Sequence, residues 1–225
     1  LCNILRVPKN TRWPVHAQRS ENLSEVEWVR QLCSQASCYG DGYRLHGLFG
    51  GDCPTIMAHC VYSDEEETRM MKEQGVFIAH CPESNANLAS GIAPARRFLD
   101  QGLKMGLGTD VAAGTSLSMF RAMAMAIQCS KLRWRIQDQS LPPLNVEEVF
   151  YLATKGGGEF FGKVGSLEPG YEFDAVVIDD GILRHARELS TKERLERLIY
   201  LAEDRQIDAK YVKGKQVLPI EKNCR

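Results

Sequence analysis

Short apolar segments alternate with longer amphipathic segments over residues 13–135. The amphipathic segments have apolar positions at helical spacing, and some of them end at a glycine. Because strand–helix–strand alternation is typical of parallel sheets, this pattern predicts a series of βα units. The four predicted strands are Trp13–Ala17, Thr55–His59, Val76–His80 and Lys104–Gly108.

Helices are predicted between and after these strands. One of them begins with Ser63, has Glu66 three residues later and is followed by Gly75, which is the arrangement of a capping box and a glycine C-terminus. The predicted helices are Ser24–Cys33, Ser63–Gln74, Ile92–Gln101 and Ser116–Arg135. A closed (β/α)₈ barrel has eight strands in roughly 250 residues, so four strands indicate either an open α/β sheet or half of a barrel.

The alternation ends after Pro142–Pro143. Asn145 is predicted to cap a helix over Val146–Thr154. Beyond that helix the pattern no longer predicts βα units but strands, one helix and a β-hairpin. These elements are predicted at Phe173–Ile178, Thr191–Leu201, Asp208–Lys213 and Lys215–Leu218. We therefore predict two parts, residues 1–163 and residues 164–225.

Composition and charge narrow the function classes. The 28 Lys and Arg residues are balanced by 29 Asp and Glu, so no basic surplus favours nucleic-acid binding. The apolar runs are far shorter than the roughly 20 residues of a membrane span, and the first residues, interrupted by Arg6, do not resemble a secretion signal. The eight cysteines form no C-x-x-C pair, which predicts free thiols and a cytoplasmic location.

Polar side chains that suit catalysis follow each predicted strand. Glu21 follows the first strand, His59 ends the second, His80 ends the third with Asn85 five residues later, and Asp110 follows the fourth. In parallel α/β sheets the carboxyl ends of the strands lie at the same edge and carry the chemistry. Each of these residues alone has an ordinary structural explanation. Their coincidence at consecutive strand ends predicts a divalent-metal site with a proton-transferring carboxylate.

The segments around these residues resemble the amidohydrolase superfamily, and within it the metal-dependent deaminase and chlorohydrolase branch. The resemblance covers about residues 13–218. Ser20–Asn22 and several C-terminal segments are most similar to the guanine deaminases of that branch. The motifs that carry the superfamily resemblance are Met57–Glu66, Ala79–Asn85, Gly106–Asp110, Leu152–Gly157 and Val164–Asp180.

This resemblance implies a fold and a reaction. Residues 1–163 would form roughly strands five to eight of a (β/α)₈ TIM-type barrel of the metal-dependent hydrolase kind, with the helices that follow them. Residues 164–225 would form part of a small β-sandwich with one helix. The implied cofactor is one divalent metal, most often Zn²⁺. It activates a water that attacks guanine at the carbon bearing the amino group, which gives xanthine and ammonia. The resemblance also implies a homodimer.

The resemblance assigns a role to each candidate residue. Asp110 matches a metal-ligating carboxylate that takes the proton of the attacking water. Glu21 matches a glutamate that passes protons to the ring nitrogen and the leaving amine. His59 matches a histidine that holds the water and the developing tetrahedral centre, and it is also predicted as a metal ligand. His80 and Asn85 are predicted to line the substrate pocket.

The sequence departs from the family pattern at the expected metal ligands. Gln18 stands where the pattern His-x-x-Glu has its histidine, and an amide is a poor zinc ligand compared with imidazole. His16 is a weak substitute, because it lies on the same face of the strand but ~6–7 Å further along. The chain also has no His-x-His pair and does not begin with Met. We therefore expect the C-terminal part of a longer enzyme, inactive on its own.

Three alternatives stay open at the level of sequence. The chain could be a non-catalytic remnant of the fold, which stoichiometric zinc in the purified chain would contradict. It could be a module that binds a purine or pterin without turnover, which saturable guanine binding without product would indicate. It could also descend from a deaminase or chlorohydrolase that acts on another amino-heterocycle.

Overall fold

A four-stranded parallel sheet forms the first part of the fold. The computed structural model describes residues 15–19, 21–183 and 185–218, without the side chains of residues 18, 19 and 182. The strands follow one another across the sheet in chain order, as predicted for βα units. They are β1 (Val15–Arg19), β2 (Thr55–His59), β3 (Phe77–His80) and β4 (Met105–Leu107). Arg19 is paired with His59, and His80 is paired with Leu107, so the carboxyl ends of all four strands lie at one edge.

Helices follow each of these strands. The four helices predicted between and after the strands and the one predicted after Pro143 are present with shifted ends. The helix predicted at Thr191–Leu201 is present with the predicted ends, and three short helices were not predicted. The nine helices of the described residues are α1 (Leu23–Leu32), α2 (Tyr39–Arg44), α3 (Glu65–Glu73), α4 (Pro82–Asn87), α5 (Ala95–Asp100), α6 (Met119–Ile136), α7 (Val146–Ala153), α8 (Lys155–Gly158) and α9 (Thr191–Leu201). The unpredicted α2, α4 and α8 have six residues or fewer, too few to show a helical period in the sequence.

The prediction that Ser63 caps α3 is wrong. Asp64 is the N-cap, and its side chain accepts a hydrogen bond of 2.8 Å from the backbone N–H of Glu67. The sequence does not decide between these two caps, because each is followed three residues later by a glutamate. Glu66 follows Ser63, and Glu67 follows Asp64. The cap predicted at Asn145 is confirmed, and Asn145 and Glu148 form a reciprocal capping box.

The hydrophobic core packs the sheet against its helices. Met57 of β2 and Ile78 of β3 are fully buried, together with Met71 of α3, Phe98 of α5 and Val149 of α7. Five of the six cysteines of the described residues are buried, and no disulfide joins any two of the six. Among the described helices none is both long and apolar enough to cross a membrane.

A second, antiparallel sheet follows, with strand order β5-β6-β7. Its strands are β5 (Ala175–Ile178), β6 (Ile207–Val212) and β7 (Lys215–Leu218). Lys213 and Gly214 connect β6 to β7 with positive φ angles of 49° and 76°, which suits a two-residue hairpin loop. Helix α9 packs against α6 and α7, and Lys192 forms an ion pair with Glu147 of α7 at 2.5 Å. The predicted domain boundary at residue 163 stays a prediction.

Candidate active site

The imidazole of His59 lies between two carboxylates at the carboxyl edge of the parallel sheet. Its Nδ1 is 3.8 Å from Oε1 of Glu21, and its Nε2 is 3.9 Å from Oδ2 of Asp110. His59 is almost completely buried, whereas the two carboxylates are partly exposed. The structure therefore brings together three residues that the sequence places at three different strand ends.

The backbone turns sharply where β2 and β4 end. His59, Cys60 and Asp110 have positive φ angles of 72°, 51° and 45°. A residue other than glycine in this region costs on the order of 1–3 kcal/mol unless, like Asp, it tolerates the conformation, and such strain is concentrated at functional sites. His59 and Asp110 therefore approach each other at two positions where the backbone adopts this less common conformation.

Asn85 of α4 contacts His59 directly. Its Nδ2 lies 2.9 Å from Nδ1 of His59, and both side chains are buried. An amide N–H that donates to Nδ1 requires the ring proton on Nε2, on the side of Asp110. The sequence predicted Asn85 only as a pocket residue, and its contact shows that it orients the His59 ring.

Each of the two carboxylates accepts a hydrogen bond from a serine. Ser84 Oγ donates to Asp110 Oδ2 at 2.6 Å, and Ser90 Oγ donates to Glu21 Oε1 at 3.1 Å. Sequence reasoning missed both serines. Ser84 lies within the motif Ala79–Asn85 and could have been found there, but Ser90 is 69 positions from Glu21 and no local pattern marks it.

His80 is the second buried histidine near this edge. Burial, and to a smaller extent the charge of His59, lower the pKa of His80 to about 4, so its ring is neutral at pH 7. Its Nδ1 is buried and has no hydrogen-bond partner among the described residues. His80 is therefore uncharged at neutral pH, and its place in the substrate pocket stays a prediction.

Cys81 follows His80 and occupies the space beside β4. Burial, followed by the charge of Asp110, raises the pKa of the Cys81 thiol to about 12, so the thiol stays protonated. A Cβ atom added to Gly108 would lie 2.9 Å from the Cys81 sulfur. The glycine before Thr109 and Asp110 is therefore needed for close packing at this strand end.

The site fits part of a metal-binding set. Two donors that are each about 2.1 Å from a tetrahedral ion lie about 3.4 Å apart, so His59 Nε2 and Asp110 Oδ2, at 3.9 Å, would have to move slightly closer to share one. His59 Nε2 is buried without a hydrogen-bond partner among the described residues. The described part of the chain nevertheless contains no group of three or more His, Cys, Asp or Glu side chains arranged for a metal.

Metal binding by His59 would require the other tautomer. The proton would have to lie on Nδ1 and be accepted by Oδ1 of Asn85 after reversal of the amide. Asn85 Oδ1 is a buried acceptor without a partner among the described residues, so this reversal leaves it satisfied. The residues present thus fit two ligand positions, those of Asp110 and His59.

Two residues of β1, His16 and Gln18, bear on the expected histidine ligand. His16 is exposed, and over the described ranges its side chain makes no hydrogen bond or ion pair. Gln18 is paired with Ala58 through the backbone register, and its side chain is outside the described residues. The role of either residue as a ligand or its replacement stays a prediction.

Residues 6–217 match the family described as "Amidohydrolase family", and the chain therefore belongs to the amidohydrolases. Its relatives include guanine deaminases. The guanine deaminase of Mus musculus is 37% identical over 216 residues, which cover 91% of this chain and 47% of that protein. The chain thus spans about half the length of the curated relatives it matches.

Solved structures that are similar to this chain also include deaminases. A crystal structure of guanine deaminase from C. acetobutylicum with guanine bound in its active site is 47% identical, with a TM-score of 0.86 over 90% of this chain and 48% of that chain. An adenosine deaminase from Xanthomonas campestris with bound zinc is 29% identical, with a TM-score of 0.73 over 90% of this chain and 45% of that chain. The parallel sheet and the small antiparallel sheet together therefore match part of these deaminase structures.

Proposed function

We propose that this chain supplies the C-terminal part of a guanine deaminase-like hydrolase, which converts guanine and water to xanthine and ammonia. The observation that carries the proposal is the position of His59 between Glu21 and Asp110. The similarity to a guanine deaminase with bound guanine supports the choice of substrate. In this proposal the parallel sheet is half of a (β/α)₈ barrel and the antiparallel sheet is part of a β-sandwich.

The carboxylates divide the proton transfers between them. Hydrolysis replaces the bond from carbon to the amino group with a carbon–oxygen double bond, so water must give up both of its protons, one to the ring nitrogen and one to the leaving amine. Asp110, held by Ser84, takes the proton of the attacking water. Glu21, held by Ser90, delivers protons to the ring nitrogen and the amine.

His59 orients the reacting oxygen. With Asn85 donating to Nδ1, the proton on Nε2 points to the space beside Asp110, where it stabilises negative charge on that oxygen. A divalent metal such as the zinc of the Xanthomonas relative would be held by Asp110, and by His59 when its ring proton is on Nδ1, and would bring the pKa of water near 7. His80 and Asn85 are proposed to line the purine pocket.

The proposed activity concerns the chain together with the other half of such a protein. The described residues offer two metal donors, whereas a catalytic zinc has three protein ligands and a water. We therefore propose guanine as a small-molecule substrate and a homodimer as the assembly, both for the whole enzyme. The cytoplasmic location stays a prediction.

A fusion tests the proposal. The half of the C. acetobutylicum guanine deaminase that this chain does not match would be joined to residues 1–225, once with Gln18 and once with Gln18→His. Zinc content and guanine-dependent ammonia release would be measured on the same samples. We expect zinc and turnover in the Gln18→His fusion, and a loss of about 10²–10⁴-fold when Asp110→Asn is added.

The other readings predict different results. A folded, zinc-loaded Gln18→His fusion that releases no ammonia from guanine would contradict the proposal, and ammonia from another amino-heterocycle would identify a different substrate. Saturable guanine binding without product in both fusions would support the non-catalytic binding module. Stoichiometric zinc in the chain alone would contradict the non-catalytic remnant.

A further inference from the structure

A small cavity lies between α5, α6 and the segment that follows α6, away from the candidate active site. Its volume is about 40 Å³, several times the roughly 10–15 Å³ that one water needs. Three arginines line it, together with Ser130, Trp134 and Asp138. These arginines are Arg96, Arg97 and Arg133.

Two of the three arginines lack a carboxylate partner. Arg96 is paired with Glu148 and Asp100. Arg97 and Arg133 form no ion pair within the described ranges. Their guanidinium groups donate instead to backbone carbonyls, which are neutral. Arg97 Nη2 donates to the carbonyl of Ser63 at 3.0 Å, and Arg133 Nη1 donates to that of Ile92.

Both arginines retain N–H donors that these hydrogen bonds do not use, and a positive charge that no carboxylate in the described part of the chain pairs with. Arg97 Nε is buried and has no hydrogen-bond partner among the described residues. Burial, followed by the charge of Arg97, lowers the pKa of Arg133, so the two cations are close enough to repel each other. Both residues are half-buried. A buried N–H such as Arg97 Nε without an acceptor is unfavourable, as is the approach of two cations, and an anion between the two groups would relieve both.

The carboxylate of Asp138 offsets part of the positive charge of this cavity. It is exposed, and its Oδ1 accepts a hydrogen bond of 2.9 Å from the backbone N–H of Ser140. The charges of Arg133 and Arg97 help to lower the pKa of Asp138, after its hydrogen bonds to Ser140. Asp138 is thus one carboxylate near two guanidinium groups, those of Arg97 and Arg133, whereas the charge of Arg96 is already matched by Glu148 and Asp100.

We propose that this cavity, the Arg97–Arg133 pocket, binds a small oxyanion. Guanidinium forks match the oxygens of phosphate better than those of spherical anions, because two parallel N–H bonds reach two oxygens. The volume admits a phosphate group, either as the free ion or as the exposed phosphate of a nucleotide. The inference is independent of the proposed deaminase activity.

The pocket is linked to the candidate active site through the same two arginines. Ser63, whose carbonyl Arg97 holds, is four residues after His59. Ile92, whose carbonyl Arg133 holds, is two residues after Ser90, the serine that binds Glu21. An anion that draws these guanidinium groups inward would compete with the bonds that anchor both active-site loops.

Calorimetry on the 225-residue chain tests the proposal. Inorganic phosphate would be titrated against chloride at constant ionic strength, so that general screening is the same in both. We expect saturable phosphate binding with a dissociation constant on the order of 1 mM, and Arg97→Gln and Arg133→Gln should each weaken it by about tenfold or more. Arg135→Gln is the matched control, because it removes a charge from the exposed end of the same helix α6 and should change binding little.

Asp138→Asn tests the proposal with a change that should strengthen phosphate binding rather than weaken it. It removes the competing carboxylate and should tighten phosphate binding, which a variant that merely damages the fold would not do. Circular dichroism would establish that each variant is folded, with Arg133→Lys as the variant that keeps the charge. A nucleoside monophosphate that binds more tightly than phosphate, while the nucleoside does not bind, would identify a nucleotide phosphate as the ligand.

Two outcomes would overturn the inference. One is the absence of saturable phosphate binding by the unmodified chain at concentrations about ten times a millimolar dissociation constant. The other is an equal loss of phosphate binding in Arg133→Gln and Arg135→Gln, since this would show that binding depends only on the net charge of α6.

Discussion

Nδ2 of Asn85 lies 2.9 Å from Nδ1 of His59, and an amide N–H that donates to Nδ1 places the imidazole proton on Nε2, on the side of Asp110. The relationship separates two roles of His59. With the proton on Nε2, His59 is a hydrogen-bond donor to the reacting oxygen. With the proton on Nδ1, it is a metal ligand. A single amide orientation therefore decides which chemistry the ring supports.

Asn85→Asp should reverse the tautomer of His59. A carboxylate accepts from Nδ1–H but cannot donate to Nδ1, so the proton should move to Nδ1 and leave Nε2 free. Nitrogen NMR of the His59 ring reports the tautomer directly, and zinc affinity should rise in the same variant. Asn87→Asp, on the same helix but bonded to the carbonyl of Ala113, should leave the ring unchanged. An unchanged tautomer in Asn85→Asp would contradict the orienting role.

Ser84→Ala should destabilise the fold through Asp110. The buried Ser84 hydroxyl donates at 2.6 Å to a charged carboxylate, and such bonds are worth about 1.5–3 kcal/mol in the free energy of unfolding. Denaturant unfolding at neutral pH measures the loss. Ser63→Ala is the matched control, because the buried Ser63 hydroxyl has no hydrogen-bond partner among the described residues and its removal should cost little. Equal effects of the two substitutions would show that the Ser84–Asp110 bond contributes nothing.

His80 should make the stability of the chain depend on pH. Its pKa is about 4 in the folded chain and 6.5 when unperturbed, so below pH 6.5 the unfolded state binds a proton that the folded state does not. The contribution is fully present above pH 6.5 and is lost as the pH falls towards 4, by about 3 kcal/mol in the free energy of unfolding.

The measurement for His80 is a comparison of variants. Denaturant unfolding between pH 7 and pH 4 should show a shallower decline for His80→Gln than for the unmodified chain. His185→Gln, at an exposed position, serves as the control and should retain the steeper decline. Parallel curves for His80→Gln and His185→Gln would contradict the assignment.

Gly108→Ala should be costly, and the cost should depend on Cys81. The new Cβ would lie 2.9 Å from the Cys81 sulfur, and such overpacking typically costs about 1–3 kcal/mol. In a Cys81→Ala background the sulfur is gone, so the same substitution should cost less, which a double-mutant cycle measures.

Gly106→Ala is the contrasting case for this cycle. Its Cβ would meet the Cα atom of Gly157 at 2.7 Å, and backbone cannot be removed by a side-chain substitution. Its cost should therefore be the same with and without Cys81. A Gly108→Ala cost that is equally insensitive to Cys81 would show that the sulfur is not the obstacle.

Much of the architecture was predictable because parallel strands and long amphipathic helices leave strong periodic signals. The four strands of the parallel sheet were expected within about two residues of their positions, and the capping box of Asn145 and Glu148 was confirmed. The short helix α4 was missed, although it carries Ser84 and Asn85. Its first residues are a proline and polar side chains whose helical conformation comes from tertiary contacts rather than from their own pattern.

The candidate site was predictable in its members but not in its contacts. Strand ends identified Glu21, His59 and Asp110 because parallel topology brings those ends to one edge. Nothing in the sequence indicates that Ser90 bonds Glu21, because the two meet only through the folded loops. Likewise, the arginines of the Arg97–Arg133 pocket lie 36 positions apart and become neighbours only when α5 packs beside α6.

The order of strands in the parallel sheet also bears on how the chain is assembled during synthesis. Because β1, β2, β3 and β4 are neighbours in the same order in space and along the chain, each new strand docks on the one made just before it. As the polypeptide leaves the ribosome, no strand must wait for a distant partner within this sheet, and each βα addition covers apolar surface left by the previous one. The sheet is therefore suited to stepwise growth from β1 to β4, with the pair His59 and Asp110 completed only when the last of the four strands has joined.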